Sequence, residues 1–358
     1  WVDHFASWRH DLRIKYNAGQ DVSVEILVGA DLIDDAATHA VDAAGSILRE
    51  WSEDLRRDTS QSERVEIALS PRLRDLMTRH DPRHHAVELA DPLRVTIDRP
   101  RARFSSWYEM FPRSASLDES RHGTFRDMIE LLPDIADMGF DVLYLPPIHP
   151  IGKTFRKGPN NTLSADPHDV GSPWAIGAAE GGHKSVHPHL GTLDDFDDLV
   201  QAAESQGMEI ALDIAFQCSP DHPYLEEHPE WFRRRPDGSI QYAENPPKKY
   251  QDIYPFDFES EAWPSLWREL RDVILFWLER GVRIFRVDNP HTKAFAFWQW
   301  VIDDLKNQYP EVIFLSEAFT RPKIMYRLAK LGFTQSYTYF AWRNADRFLP
   351  PERLAEHA

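Results

Sequence analysis

From about residue 104 the chain alternates short apolar runs with longer stretches whose apolar residues return every three or four positions. The short runs cover residues 104–111, 141–148, 209–217, 282–288, 312–317 and 333–340. Two of them, IALDIAF (210–216) and VIFLSEAF (312–319), are apolar at successive positions. Parallel strands buried beneath helices on both faces carry that texture. The longer stretches, 124–138, 193–205, 263–278, 297–308 and 322–331, have helical spacing, and Gly139, Gly207 and Gly281 stop the first three. Strict strand–helix alternation predicts a parallel α/β sheet.

The first hundred residues differ. Residues 8–16, WRHDLRIKY, alternate polar and apolar and predict one strand, ended by Asn17-Ala18-Gly19. Between residues 21 and 92, Val22, Ile26, Leu27, Leu32 and Ile33, then Val41, Ile47, Leu48, Trp51 and Leu55, fall at roughly helical intervals. Ser70-Pro71 before Leu73, Leu76 and Met77 is a helix start, with Ser as cap and Pro in the first turn. The expected division is therefore the end of an N-terminal β domain (1–20), a helical accessory module (21–95) and an α/β catalytic domain (96–358). No chemistry-bearing cluster lies in the module, so support or assembly is its expected role.

An open doubly wound sheet and a (β/α)8 barrel both fit the alternation. Glycine-rich phosphate fingerprints are missing, while polar residues gather where several different strands end: Asp213 and Gln217, Arg286 and Asp288, Glu317. A barrel builds its site from the C-terminal ends of many strands, so the pattern predicts a (β/α)8 TIM barrel. Six strands are visible, and about two more strand–helix units are expected beyond Ala358. The partners of the 8–16 strand are expected upstream of Trp1.

Charge narrows the chemistry. The 358 residues hold 41 Lys and Arg against 58 Asp and Glu, a formal net charge of −17. That surface repels phosphate backbones and anionic lipid, which argues against nucleic-acid and membrane binding. No apolar run approaches the roughly 20 residues of a membrane span, and a lone cysteine, Cys218, forms no internal disulfide or metal framework. The cytosol is the expected compartment.

Arg286 and Asp288 share one face of their strand by the period of two. A buried Arg beside a carboxylate orients it and favours its charged form, as a nucleophile requires. From spacing alone, an ion pair closing a strand end explains them equally well. Glu317 follows a mostly apolar strand, where burial raises a carboxyl pKa and suits a general acid. Its own alternative is a Glu bonded to a polar group of a neighbouring strand. Two carboxylates ending adjacent barrel strands, one paired with Arg, form the arrangement that glycoside chemistry uses.

FRVDN (285–289), with LSEAF (315–319) one strand later, resembles the alpha-amylase family, glycoside hydrolase family 13. The segments YLPPIHPIG (144–152), RKGPNN (156–161), EGGH (180–183), ENPPKKYQDIYP (244–255), VDNPHTK (287–293) and QSYTYFAWRN (335–344) are similar to that family's branch of maltosyl-transferring enzymes that use maltose 1-phosphate. The resemblance implies Asp288 as nucleophile and Glu317 as acid/base, with a third carboxylate expected beyond residue 358. It implies phosphate contacts from Lys157, Asn245, Lys248 and Tyr250, although the Lys248-Lys249 pair by itself reads as a solvated loop. Asn161, Gln217 and Asn289 are expected at sugar hydroxyls or around the nucleophile, Arg286 beside it, and Trp174 against the donor. Asp213 to Cys218, DIAFQC, departs from the D-x-x-x-N-H run of ordinary amylases, which speaks against plain amylase activity. The partners implied are a sugar phosphate donor and an alpha-1,4-glucan acceptor, in a homodimer. His149, His183 and His291 match no metal-ligand spacing, so neither metal nor cofactor is expected.

Overall fold

The computed structural model describes residues 1–339 except Asp42, His85, Arg94 and Glu119. The read strand 333–340 and the block 335–344 therefore end outside the described residues. The chain forms two compact units, Trp1–Val95 and a second beginning at Thr96.

The first unit is helical: α1 (His4–Asn17), α2 (Ser23–His39), α3 (Ala44–Arg56), α4 (Gln61–Ala68) and α5 (Pro71–His80). Its start corrects the sequence reading. Residues 8–16 are helix, not a strand, and they belong to this unit rather than to a β domain. Phe5, Trp8 and Leu12 recur at helical spacing and are the residues α1 buries, while Asp3 caps it by accepting from the Ala6 N–H at 2.7 Å. The polar–apolar alternation of 8–16 was equally compatible with that stripe, because Trp8 and Leu12 fit both periods. α4 lies outside the periodicity described above. Its signal is the Ser60-x-x-Glu63 capping box, in which each side chain bonds the other residue's backbone N–H. Leu12, Ile26, Ile33, Leu48, Leu55 and Leu73 are fully buried in one core.

The second unit holds one six-stranded parallel sheet: β1 (Trp107–Glu109), β2 (Val142–Leu145), β3 (Glu209–Ile214), β4 (Ile284–Val287), β5 (Ile313–Ser316) and β6 (Gln335–Ser336). Spatial order follows chain order throughout. A doubly wound sheet reverses its strand order at a switch point, whereas a barrel runs sequentially. The sheet is thus the described part of a (β/α)8 barrel. Helices α6 (Phe125–Asp137), α7 (Leu193–Ser205), α8 (Trp263–Glu279), α9 (Phe295–Gln308) and α10 (Pro322–Lys330) alternate with the strands. Capping boxes at Thr124–Asp127 and Thr192–Asp195 start α6 and α7.

Period two divides the strand residues between two cores. Leu143, Leu145, Leu212, Phe285 and Phe314 face the helices, packed with Phe125, Phe196, Trp277 and Trp298. Val142, Tyr144, Ala211, Ile284 and Ile313 make the smaller inner cluster. Among the described residues, no helix is long and apolar enough to cross a membrane.

Candidate active site

Continuing the inward face by steps of two places Asp213 on β3 and Arg286 on β4 above the inner apolar cluster, to which Tyr144 on β2 belongs. Asp288 and Glu317, one residue past β4 and β5, fall on the same face. Strand register sets their heights, since Asp213 lies beside Arg286 and Val287 beside Ser316. The Asp288 N–H donates to Ile214 O and the Glu317 N–H to Val287 O, so each carboxylate sits on continued ladder bonding.

Arg286 is the hub. Its Nη1 donates to Asp213 Oδ2 at 2.8 Å and to Asp288 Oδ1 at 3.1 Å, and its Nη2 lies 3.0 Å from Glu317 Oε1. Tyr144 donates its hydroxyl to Asp213 Oδ2 at 2.6 Å. Asn289, with φ of 42°, donates its N–H to Glu317 Oε2 at 3.3 Å and its side-chain amide to Asp288 Oδ1 at 3.3 Å. Buried charges persist where they are paired, and here one planar guanidinium serves three carboxylates.

Burial raises the Glu317 pKa, opposed by Arg286 and reinforced by Asp288. Burial likewise raises Asp213, to about 7, against the pull of Arg286. Arg286 is raised, because the surrounding acids outweigh a burial that works against its charge. A carboxyl whose pKa burial raises is suited to carry the proton of a general acid. Asp288 and Glu317 share Arg286 and Asn289 as partners, so the two carboxyls stand as neighbours on one side of the site, as a paired acid/base and nucleophile must.

The other sequence-read residues form two further groups. Lys157 and Asn161 line one cavity with Trp174 and Phe111. Lys157 is 4% exposed, and its ammonium stands 3.9 Å from the buried Asp252 carboxylate. Gln217 donates to the Trp174 carbonyl at 3.3 Å, which joins the end of β3 to that cavity. Asn245, Lys248 and Tyr250 lie on a small hairpin, Ala243–Asn245 with Lys248–Tyr250, turned by Pro246-Pro247 through a cis peptide. Asn245 faces Lys248 across it. Among the described residues, no hydrogen bond or ion pair ties this hairpin to Asp288 or Glu317.

Residues 1–99 match the model for domain N/S of alpha-1,4-glucan:maltose-1-phosphate maltosyltransferase, and residues 109–269 match the alpha-amylase catalytic domain. The curated maltosyltransferase of Chlorobaculum tepidum is 58% identical over 98% of this chain and 52% of its own length. That of Pseudomonas aeruginosa is 54% identical over 96% and 52%, respectively. The chain belongs to the maltosyltransferase branch of the alpha-amylase family. Among solved structures, an alpha-amylase from Lactobacillus plantarum superposes with a TM-score of 0.52 at 30% identity, over 66% of this chain and 50% of that one. The chain spans about half the length of the curated relatives it matches.

Several site residues escape a strand-by-strand reading. Tyr144 and Asp252 lie inside segments quoted above but acquire partners only across elements. The histidines form a separate feature. His222 Nδ1 accepts from the Tyr224 N–H at 3.0 Å, so its proton sits on Nε2 and is donated to His183 Nδ1 at 3.1 Å; His183 Nε2 then donates to Ala215 O at 3.0 Å. Cys218 lies close enough to complete a three-ligand cluster, but this chain already uses every ring nitrogen of both histidines. Burial lowers the pKa of His222 to about 3 and of His149 to about 4, so both are neutral spacers in the core.

Proposed function

We propose that the full-length protein transfers a maltosyl unit from alpha-maltose 1-phosphate to the non-reducing end of an alpha-1,4-glucan, with retention. An Asp288 oxygen attacks the anomeric carbon as its bond to the phosphate oxygen breaks. Phosphate departs with the bonding electrons, helped by a proton from Glu317, and a β-maltosyl ester remains on Asp288. Glu317, now ionised, takes the proton from the acceptor 4-hydroxyl, whose oxygen attacks the same carbon and frees Asp288. Two inversions leave the α configuration.

The observation carrying this reading is that Asp288 and Glu317, ending adjacent strands, share one guanidinium and one asparagine. Lys157, Asn245, Lys248 and Tyr250 would hold the phosphate, with Asp252 keeping Lys157 in place. Asn161, Gln217 and Asn289 would bond the sugar hydroxyls. A dianion in a chain of net charge −17 needs such a local set of cations and donors. The turn prolines stiffen their hairpin and reduce the entropy lost on binding. Cytosolic placement and a homodimer complete the proposal.

The test mixes full-length protein with maltose 1-phosphate and maltohexaose. Phosphate should appear in step with glucans lengthened by two glucose units. Phosphate with free maltose and no chain growth would make the protein a hydrolase; no phosphate would refute the donor.

A further inference from the structure

Asn289 contacts both carboxylates from a left-handed backbone, a conformation that non-glycine residues adopt uncommonly, asparagine more readily than most, and that contacts around the turn enforce here. Lys293 supplies that enforcement. Its ammonium donates to the carbonyl of Asp288 and to that of Asn289, each at 3.3 Å, and so clasps the two peptide units that define the turn. Thr292 adds its hydroxyl to the Asn289 carbonyl at 2.8 Å, and the Trp298 indole N–H donates to Pro290 O at 3.0 Å. The short helical turn Pro290–Thr292 brings Lys293 back over the residues it binds.

We infer that Lys293 is a positioning residue: by clasping the Asp288 and Asn289 carbonyls it holds the left-handed turn through which Asn289 ties nucleophile to acid/base. The inference rests on the maltosyl-transfer reading for its consequence, though not for its geometry. Among the described residues, Lys293 reaches no carboxylate side chain in a hydrogen bond, so it acts through the backbone. Burial lowers its pKa, while Asp288, Glu317 and Asp213 oppose that effect and Arg286 adds to it.

Two effects on Glu317 follow. The Asn289 N–H and the nearby ammonium both favour the ionised carboxylate. Losing them raises the Glu317 pKa further, in a setting where Arg286, Asp288 and Asp213 also face it. The acceptor step needs ionised Glu317, so the acidic limb of transfer should move to higher pH.

The experiment uses full-length Lys293→Met and Lys293→Arg proteins, with Lys293→Gln replacing the first if it does not fold. Crystal structures give the Asn289 φ. Carbon-13 NMR of labelled glutamate, assigned with Glu317→Gln, gives the Glu317 titration midpoint without donor or acceptor. In Lys293→Met, Asn289 should leave the left-handed region, and the midpoint and the acidic limb should rise together by about one unit. Lys293→Arg should retain both wild-type values. An Asn289 that keeps its φ in Lys293→Met, or a Glu317 midpoint that stays put, overturns the inference. A wild-type protein that releases no phosphate from maltose 1-phosphate would instead sink the transfer reading, leaving the structural and titration results to be judged alone.

Discussion

Arg286 gives the site its character, and the reason lies in the shape of its side chain. A guanidinium presents donors in a plane and can bridge Asp213, Asp288 and Glu317 together, which a lysine's point charge cannot. Lys248 represents the opposite case. It stands exposed on its hairpin with Asn245 opposite, so it contributes little to the fold and is free to meet a ligand. Replacing it with Ala in the full-length enzyme should weaken use of maltose 1-phosphate by roughly ten- to a hundredfold, from a lost charged hydrogen bond of about 1.5–3 kcal/mol. Activity on maltosyl fluoride, which carries no phosphate, should fall much less. Equal losses on both donors would remove Lys248 from the phosphate site.

Among the elements, α1 and α2 meet where the Trp8 ring packs against Gly29 and donates its indole N–H to Glu25 O at 2.6 Å. A Cβ at Gly29 would overlap the Trp8 ring. Gly→Ala inside a helix normally stabilises by about 0.5–1 kcal/mol, but overpacking a filled contact costs about 1–3 kcal/mol. The overlap should win, so Gly29→Ala should lower the urea midpoint of the helical unit; a raised midpoint would show that Trp8 can move aside. The same contact explains what sequence could and could not reveal. Trp8 to Tyr16 matched a strand period because Leu12, Ile14 and Tyr16 alternate with charged residues although Ile14 is exposed on the helix, and Gly29, against which Trp8 packs, has no side chain to announce itself. The barrel strands were legible because burial on both faces leaves a continuous apolar run, and Asp288 and Glu317 were legible because they end such runs. Tyr144, Asp252 and Lys293 were not, since their roles come from contacts with residues on other elements or with backbone carbonyls. Nothing in local spacing encodes those contacts.

For the whole molecule, sequential strand order is what brings the chemistry together. Adjacent strands β4 and β5 deliver Asp288 and Glu317 side by side, and β3 delivers the Asp213 that shares their arginine. An acidic protein thereby concentrates three carboxylates around one cation. Its proposed phosphate contacts lie on separate segments, Lys157 beside Asp252 and the Asn245–Tyr250 hairpin. The central claim is that Asp288 forms a covalent bond to the sugar and Glu317 moves the protons. Glu317→Ala removes the base that activates the acceptor, yet maltosyl fluoride can still react because fluoride leaves with little protonation. Denaturing mass spectrometry of full-length Glu317→Ala, incubated with maltosyl fluoride, should therefore show one added maltosyl unit on the peptide containing Asp288. An adduct on another peptide, or none in a folded protein that still binds donor, would contradict the account.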